Sequence, residues 1–377
     1  VKIEGVKLGI LGGGQLGRML IQAGMNFNLH ISVLDPDKDA PCKSIADEFK
    51  VGSLSDFKMV YDFGKKMDVL TIEIEHVNVE ALEKLEKEGV KVFPQPDVIK
   101  TIQDKGLQKL FYQKHKIPTS EFRLVDSKTE LMQTGGLIPF FQKLRKGGYD
   151  GRGVQRIGSR NDFKIAFDAP SVLEKQVDIA KELSVIVARS EGGEVKTYPA
   201  VELDFHPEAN LVEFLSSPAD VSIVIEKKAE QIAAKVAKAL KIVGLLAVEM
   251  FLTNDDEILV NEIAPRVHNS GHHTIEANIT SQFEQHLRAI LNLPLGSTAI
   301  KTPAVMVNLL GEPRYEGIAR YKGLEKVLKV EGVAIHLYGK KFTRPFRKMG
   351  HVTIVDPDIE TAKEKAKFVK RTLKVIA

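Results

Sequence analysis

The chain has 377 residues, 43% hydrophobic and 28% charged, which suits a folded protein of two or three domains and excludes disorder. Its 54 basic and 50 acidic side chains leave a net charge of +4, too mild for a nucleic-acid surface unless the cations cluster. Cys42 is the only cysteine, so no internal disulfide is possible, and no apolar run nears the ~20 residues that span a bilayer; a cytoplasmic protein without membrane or nucleic-acid partners is expected.

The first hundred residues alternate strand and helix. An aliphatic run at 6–11 passes through glycines into a helix at 16–25. Strands at 30–34 and 69–72, a charged helix at 79–88 and a strand at 90–93 follow. This alternation predicts a parallel sheet with crossover helices over residues 1–100. The opening run leads directly into glycines, so it is not read as a signal peptide. Prolines at 94 and 96 close the unit, and one connecting helix is expected over 100–116. A second unit, 101–190, has a short helix with capping-box spacing at Ser127 and Glu130, then strands at 138–143, 171–176 and 182–189 around a glycine loop. A third, 191–300, has strands at 195–201 and 211–216, a long helix at 226–241, and a strand pair at 245–252 and 257–263. The last, 301–377, has short strands and a closing helix at 359–373.

Four segments carry chemistry. Gly12-Gly13-Gly14-Gln15-Leu16-Gly17 fits G-x-G-x-x-G between a strand and a helix, where glycines let backbone approach a phosphate. Asp35, after the next strand, stands where a dinucleotide fold keeps its ribose carboxylate, so a nicotinamide oxidoreductase is one reading and a plain tight turn another. The second segment, from Lys143 to Gly153, packs four glycines and four cations behind an apolar strand, suiting a lid over polyphosphate. It does not match the P-loop pattern.

The third segment is the strand pair around Thr253-Asn254-Asp255-Asp256, which predicts an antiparallel hairpin. If its centre lies between Asp255 and Asp256, Glu249 faces Glu262 with Cβ atoms about 5 Å apart. Two carboxylates that close among aliphatic residues call for a hard divalent cation, and Mg²⁺ typically takes one or two carboxylates plus nucleotide phosphates. Just beyond, Arg266, His268, Asn269, His272 and His273 follow Asn261 and Glu262. The oxygen-rich surroundings favour Mg²⁺ over zinc, and Arg266 suits an oxyanion. The fourth segment, 340–348, has five cations in nine residues and suits a phosphate monoester, although such runs are commonly solvated faces.

Together these segments resemble the 5-(carboxyamino)imidazole ribonucleotide synthase family of the ATP-grasp superfamily. The residues that carry the likeness are GGGQLGRM at 12–19, TIEIEHVN at 71–78, KLRKGGYDGRGV at 143–154, EKQVDIAKELSV at 174–185, NEIAPRVHNSGHHT at 261–274 and YGKKFTRPFRKMGH at 338–351. They stand in the family's order over nearly the whole chain. The resemblance implies an ATP-grasp fold behind a Rossmann-like pre-ATP-grasp parallel sheet, with a small C-terminal domain.

It also implies ATP-dependent carboxylation of 5-aminoimidazole ribonucleotide by bicarbonate, with Mg²⁺ or Mn²⁺, by a homodimer. Lys105 and Lys143 then hold ATP phosphates under a lid of Gly148, Tyr149, Asp150, Gly151, Arg152, Gly153 and Val154. Glu174, Lys175, Gln176 and Val177 line the adenine edge, Glu182 takes the ribose, and His206 and Asn261 approach the nucleotide. Glu249 and Glu262 match the metal ligands. Arg266 matches the bicarbonate and carboxyphosphate binder beside His268 and Asn269, and Tyr149, Asp150 and Arg152 face the amine. Gln15, Leu16, Glu75, Arg347 and Lys340 (or its neighbour Lys341) hold the ribonucleotide. Other readings are an ATP-grasp ligase for another phosphorylated substrate, the oxidoreductase, or a nucleotide sensor; the last two leave the carboxylate pair or the 266–272 segment unused.

Overall fold

A computed structural model describes residues 3–133, 137–148, 153–206 and 211–377. Its first sheet is wholly parallel, in the order Glu48–Val51, His30–Asp35, Lys7–Leu11, Val69–Ile72, Lys91–Phe93. The strands Lys7–Leu11 and Val69–Ile72 are almost continuously buried, as sheets covered on both faces require. Helix Gln15–Met25 buries Leu16, Met19, Leu20 and Ile21 against one face. Helix Val79–Lys87 is capped by Asn78, whose side chain accepts from the Ala81 N–H. The edge strand Glu48–Val51 and helix Phe57–Gly64 add to the expected elements; that strand is short and mostly exposed, so it lacks an apolar run.

The expected connecting helix over 100–116 is instead two helices, Pro96–Ile102 and Lys105–Lys114. Asp104 separates them because its carboxylate caps the second, accepting from the Gly106 and Leu107 N–H groups at 2.8 and 3.2 Å. A four-stranded antiparallel sheet follows, ordered Phe122–Val125, Ser171–Lys175, Phe140–Leu144, Val154–Ile157. The boundary expected at residue 190 falls too late: strand Ile179–Arg189 leaves this small sheet and lies in the middle of the large one.

The large sheet has nine strands. Its path runs Ile258–Ala264, Gly244–Thr253, Ile179–Arg189, Val201–Phe205, Val212–Ser217, Ala304–Leu310, Lys348–Val355, Val333–Leu337, with Val195–Thr197 beside Ile179–Arg189. The strand expected over 195–201 is thus two, and no sheet edge separates 191–300 from 301–377, since Val212–Ser217 pairs directly with Ala304–Leu310. Alternation divides its faces. Leu183, Val185, Val187, Val248 and Met250 pack under helix Ile223–Leu240, and Val305 and Val307 under helix Ile359–Thr372. Ile186, Ala188, Leu245 and Ala247 turn the other way, into a core shared with helices Gln15–Met25 and Gln282–Ile290. His286 ties that core together. Its Nδ1 accepts from the Leu245 N–H at 3.2 Å, which leaves Nε2–H to donate to Thr71 Oγ1 at 2.9 Å.

Candidate active site

The hairpin Gly244–Thr253 and Ile258–Ala264 places Glu249 opposite Glu262, but by a route the spacing does not show. Near the turn, Leu252 faces Ile258 and Met250 faces Val260, so the loop is centred on Asp255 rather than between Asp255 and Asp256. A β-bulge at Asn261 then shifts the register by one and restores the Glu249–Glu262 pair. Ile258 and Val260 belong to the core face, and simple alternation would send residue 262 there too. The extra residue turns both Asn261 and Glu262 to the open face, while Ile263 returns to the core. Ser184 faces Glu249 across the next strand, which completes a row of Ser184, Glu249 and Glu262.

Charge crowding along this row perturbs its acids. Burial, then Glu262 and Glu182, push the Glu249 carboxyl up to about 7. Burial raises Glu182 to about 6, partly offset by Lys143. Burial also opposes ionisation of Glu262, but Lys105 and Lys143 outweigh it and hold that carboxyl below its usual range. Glu262 lies on the open face with 48% of its side-chain surface exposed. Among the described residues no three His, Cys, Asp or Glu side chains are arranged around a metal ion. The two facing carboxylates offer hard oxygen donors, a chemistry that fits Mg²⁺ better than a softer ion.

Two lysines reach this row from different elements. Lys105, the first residue of helix Lys105–Lys114, bonds Glu262 Oε1. Lys143, on the small sheet, donates to Asn261 Oδ1 at 2.9 Å and lies 3.2 Å from Glu174 Oε1. Glu174, expected at an adenine edge, turns its carboxylate to the protein's own cations. Its carboxylate is 4% exposed and accepts from Lys109 Nζ at 3.1 Å and Ser120 Oγ at 3.1 Å. Burial works against its charge, but Lys143 and Lys109 overcome it and hold Glu174 at about 2. Burial lowers the Lys109 ammonium to about 8, which still leaves the pair charged at neutrality. Arg145 grips Asp104 with Nε at 2.9 Å and Nη2 at 2.8 Å, and the Lys105 N–H donates to Arg145 O at 2.9 Å. This fork fixes the two lysine-bearing elements to each other. Lys109, Asp104 and Arg145 escape sequence reasoning because they act through contacts between elements; only the helix-capping pattern after Asp104 gives a local hint.

The first glycine loop serves the protein's own acids. The Gly13 N–H donates to Asp35 Oδ2 at 2.6 Å, and the Leu16 N–H to Glu73 Oε1 at 3.2 Å. A Cβ on Gly12 would stand 2.6 Å from Glu73 Oε2, at a φ of +106°, and one on Gly14 would stand 2.5 Å from Glu73 Oε1. The oxidoreductase reading loses its basis here: Asp35 is spent on the Gly13 and Asp37 N–H groups instead of facing a ribose. Glu73, which the sequence did not single out, also lies near Arg266, and the two charges attract. Arg266 Nη2 pairs with Glu75 Oε1 at 2.9 Å, and its buried Nε has no partner among the described residues.

His268 and Asn269 start the turn beyond Arg266. Burial, then Arg266 and Lys348, hold the His268 imidazole well below its usual value, so it is neutral. Its Nδ1 accepts from the Ser270 N–H at 3.3 Å, leaving Nε2–H toward Glu249 Oε1 at 3.7 Å. Asn269 exchanges two 2.9 Å hydrogen bonds with the buried Asn308 amide, which joins the turn to strand Ala304–Leu310.

The remaining expected residues are more dispersed. Tyr149, Asp150, Gly151 and Arg152 lie outside the described residues, but Gly148 and Gly153 bring the loop's ends together: a Cβ on Gly153 would meet Gly148 Cα at 3.2 Å. Val154 opens a strand of the small sheet. Lys175 lies 3.3 Å from Glu121, Gln176 accepts from Arg156 at 2.8 Å, and Val177 lies in the connection to the large sheet. His206 packs its ring 5.6 Å from Phe346 of the basic segment. Lys340 donates to Lys348 O at 2.8 Å and Arg347 to Phe342 O at 2.7 Å. Gln15 opens the helix behind the glycine loop, beside Leu16.

Comparison with known proteins agrees with this architecture. The ribonucleotide synthetase preATP-grasp domain matches residues 6–103, the ATP-grasp domain 110–283, and the phosphoribosylaminoimidazole carboxylase C-terminal domain 304–365. The chain is 41% identical over 365 residues to the chloroplastic phosphoribosylaminoimidazole carboxylase of Vigna aconitifolia; the match covers 94% of this chain and 65% of that protein. It therefore spans just under two thirds of that relative's length. The N5-carboxyaminoimidazole ribonucleotide synthetase structure from Thermotoga maritima is 47% identical with a TM-score of 0.91, over 99% of both chains. The Aspergillus clavatus synthase in complex with ADP and 5-aminoimidazole ribonucleotide is 36% identical with a TM-score of 0.90, covering 98% of this chain and 99% of that one. No helix among the described residues is long and apolar enough to cross a membrane. With three consecutive domains matched and near-complete coverage by that synthetase, the chain belongs to the ATP-grasp family of N5-carboxyaminoimidazole ribonucleotide synthases.

Proposed function

We propose that this chain carboxylates the exocyclic amine of 5-aminoimidazole ribonucleotide, using ATP and bicarbonate and releasing ADP and phosphate. The product is 5-carboxyamino-1-(5-phosphoribosyl)imidazole, an intermediate of purine synthesis. The observation that carries this reading is the carboxylate row at Glu249 and Glu262, approached by Lys105 and Lys143, within a chain of this family. Glu249 and Glu262 would hold Mg²⁺, or Mn²⁺ in its place. When bound, the ion neutralises phosphate charge that the lysines cannot balance alone.

Lys105 and Lys143 hold the ATP phosphates, and the 148–154 loop covers them. Glu182 takes the ribose hydroxyls. With the Glu174 carboxylate committed to lysines, the 174–177 segment offers adenine its backbone and its neighbouring side chains. A bicarbonate oxygen attacks the γ-phosphorus, the bond to ADP breaks, and carboxyphosphate forms. Arg266, already balanced by Glu75, holds that dianion, with Asn269 and neutral His268 beside it. The amine nitrogen then bonds to the carboxyl carbon, either directly, breaking the C–O bond and expelling phosphate, or after that bond has broken to give CO₂ and phosphate, and the amine gives up a proton. Tyr149, Asp150 and Arg152 face the amine. Gln15, Leu16 and Glu75 hold the ribonucleotide, with Lys340 and Arg347 on its phosphate. A homodimer in the cytoplasm is the form we expect to act.

The test is ADP release with ATP, Mg²⁺ and bicarbonate, with and without the aminoimidazole ribonucleotide. Ribonucleotide-stimulated turnover is expected. Its absence rejects the assignment, and stimulation by a different amine supports another ATP-grasp ligase.

A further inference from the structure

We infer that Lys105 occupies the cation position at Glu262 until nucleotide phosphate draws it away, so that metal and nucleotide bind as partners. This rests on reading Glu249 and Glu262 as the metal carboxylates. Lys105 Nζ bonds Glu262 Oε1 directly, and only 18% of the lysine side chain is exposed. Mg²⁺ binds carboxylate oxygen at 2.0–2.1 Å, so an ammonium on the same carboxylate sits within a few ångströms of the ion and repels it. The same lysine is the one expected to take an ATP phosphate, and it cannot serve Glu262 and a phosphate oxygen equally well. A phosphate chain gives the ammonium a more highly charged partner and opens Glu262 to the divalent ion.

The surrounding structure lets the side chain move while its base stays fixed. Lys105 begins its helix, with its N–H held by Arg145 O at 2.9 Å and the preceding Asp104 locked by the Arg145 fork. The exchange needs rotation about side-chain bonds only. Lys143 differs. It bonds Asn261 and lies against Glu174, so it brings the same charge to the neighbourhood without touching Glu262. That contrast separates a blocked ligand from a general effect of positive charge.

The experiment is Mn²⁺ titration of the full chain, with free Mn²⁺ read by electron paramagnetic resonance, with and without a non-hydrolysable ATP analogue, the Mn²⁺ held by the same analogue without protein being measured and subtracted. The wild type should bind Mn²⁺ weakly alone and about tenfold or more tightly with the analogue, equivalent to at least ~1.4 kcal/mol. Lys105→Met, with Lys105→Gln as a second neutral variant, should bind Mn²⁺ about tenfold more tightly than wild type without nucleotide. Both should gain less from the analogue. Lys105→Arg should behave like wild type, and Lys143→Met should change nucleotide-free affinity far less than Lys105→Met. Unchanged affinity in both neutral Lys105 variants, or an equal gain in Lys143→Met, overturns the exchange while leaving the metal site standing. No binding by wild type even with the analogue overturns the metal site, and the exchange with it.

Discussion

At the scale of single residues, the site is a set of charges whose neighbours decide their state. Glu262→Gln keeps the shape of the bulge but removes one charged ligand. Turnover supported by Mg²⁺ should fall beyond the roughly 10–100-fold that follows loss of an outer-shell partner, with thermal unfolding unchanged. Near-normal activity would remove Glu262 from the metal site. Lys109, 2% exposed, answers to a different measurement. Lys109→Met leaves Glu174 buried with one cation instead of two, and should lower stability in urea by about 3–5 kcal/mol. Adding Glu174→Gln should recover part of that loss, because the buried charge goes with its partner. Lys109 and Glu73 show where sequence reasoning stops. Glu174 stood out within a recognisable string but its partner Lys109 lies far away in sequence in an ordinary helix, and Glu73 lay inside the string 71–78 with nothing local to show that it holds the glycine loop.

At the scale of elements, the hairpin was legible because two runs of aliphatic and β-branched residues flank a turn-rich segment. Its bulge was not, because nothing in Val260-Asn261-Glu262 marks an extra residue. The facing of Glu249 and Glu262 was therefore expected for an incomplete reason, since the displaced turn and the bulge cancel. Deleting Asn261 separates the two effects. Without it, Val260 stays on the core face, Glu262 follows on the open face opposite Glu249, and Ile263 returns to the core, so regular alternation replaces the bulge. The deletion should therefore keep the carboxylate pair, and its loss of Mg²⁺-dependent turnover should be close to that of Asn261→Ala, which removes the same contact with Lys143. A deletion variant without Mg²⁺-dependent turnover beside an active Asn261→Ala would show that the bulge itself sets the geometry of the pair. The unforeseen break at Asp104 follows similar logic: apolar spacing continues through 100–116, and a cap is a stronger local instruction than spacing.

At the scale of the whole molecule, buried histidines make stability depend on pH. His268, His272, His273, His286 and His351 are all held below their usual value, chiefly by burial, with His286 at about 4 and His273 at about 3. In each case the unfolded chain binds the proton first. Their contribution is complete above about 6.5 and declines as pH falls through and below that value. Glu249 and Glu182, held up to about 7 and about 6, take up protons in this range and oppose the fall, as do the other acids held upward by burial, Glu73, Glu86, Asp204 and Glu230, but the five rings are held down more strongly. The urea midpoint should fall between pH 7.5 and 5.5, by roughly 1–3 kcal/mol per pH unit in stability. Glu249→Gln should steepen the fall, and a flat profile would contradict the burial of these rings. The unbroken nine-stranded sheet also has a consequence in time. Strand Val212–Ser217 is complete long before its partner Ala304–Leu310, which follows roughly ninety residues later. At a synthesis rate of roughly 5–20 residues per second, its backbone edge waits on the order of 5–20 s for a partner on the ribosome. Until the second half of the sheet emerges, the nascent chain carries an open template for pairing with its neighbours, and the last quarter of the sequence is what closes it.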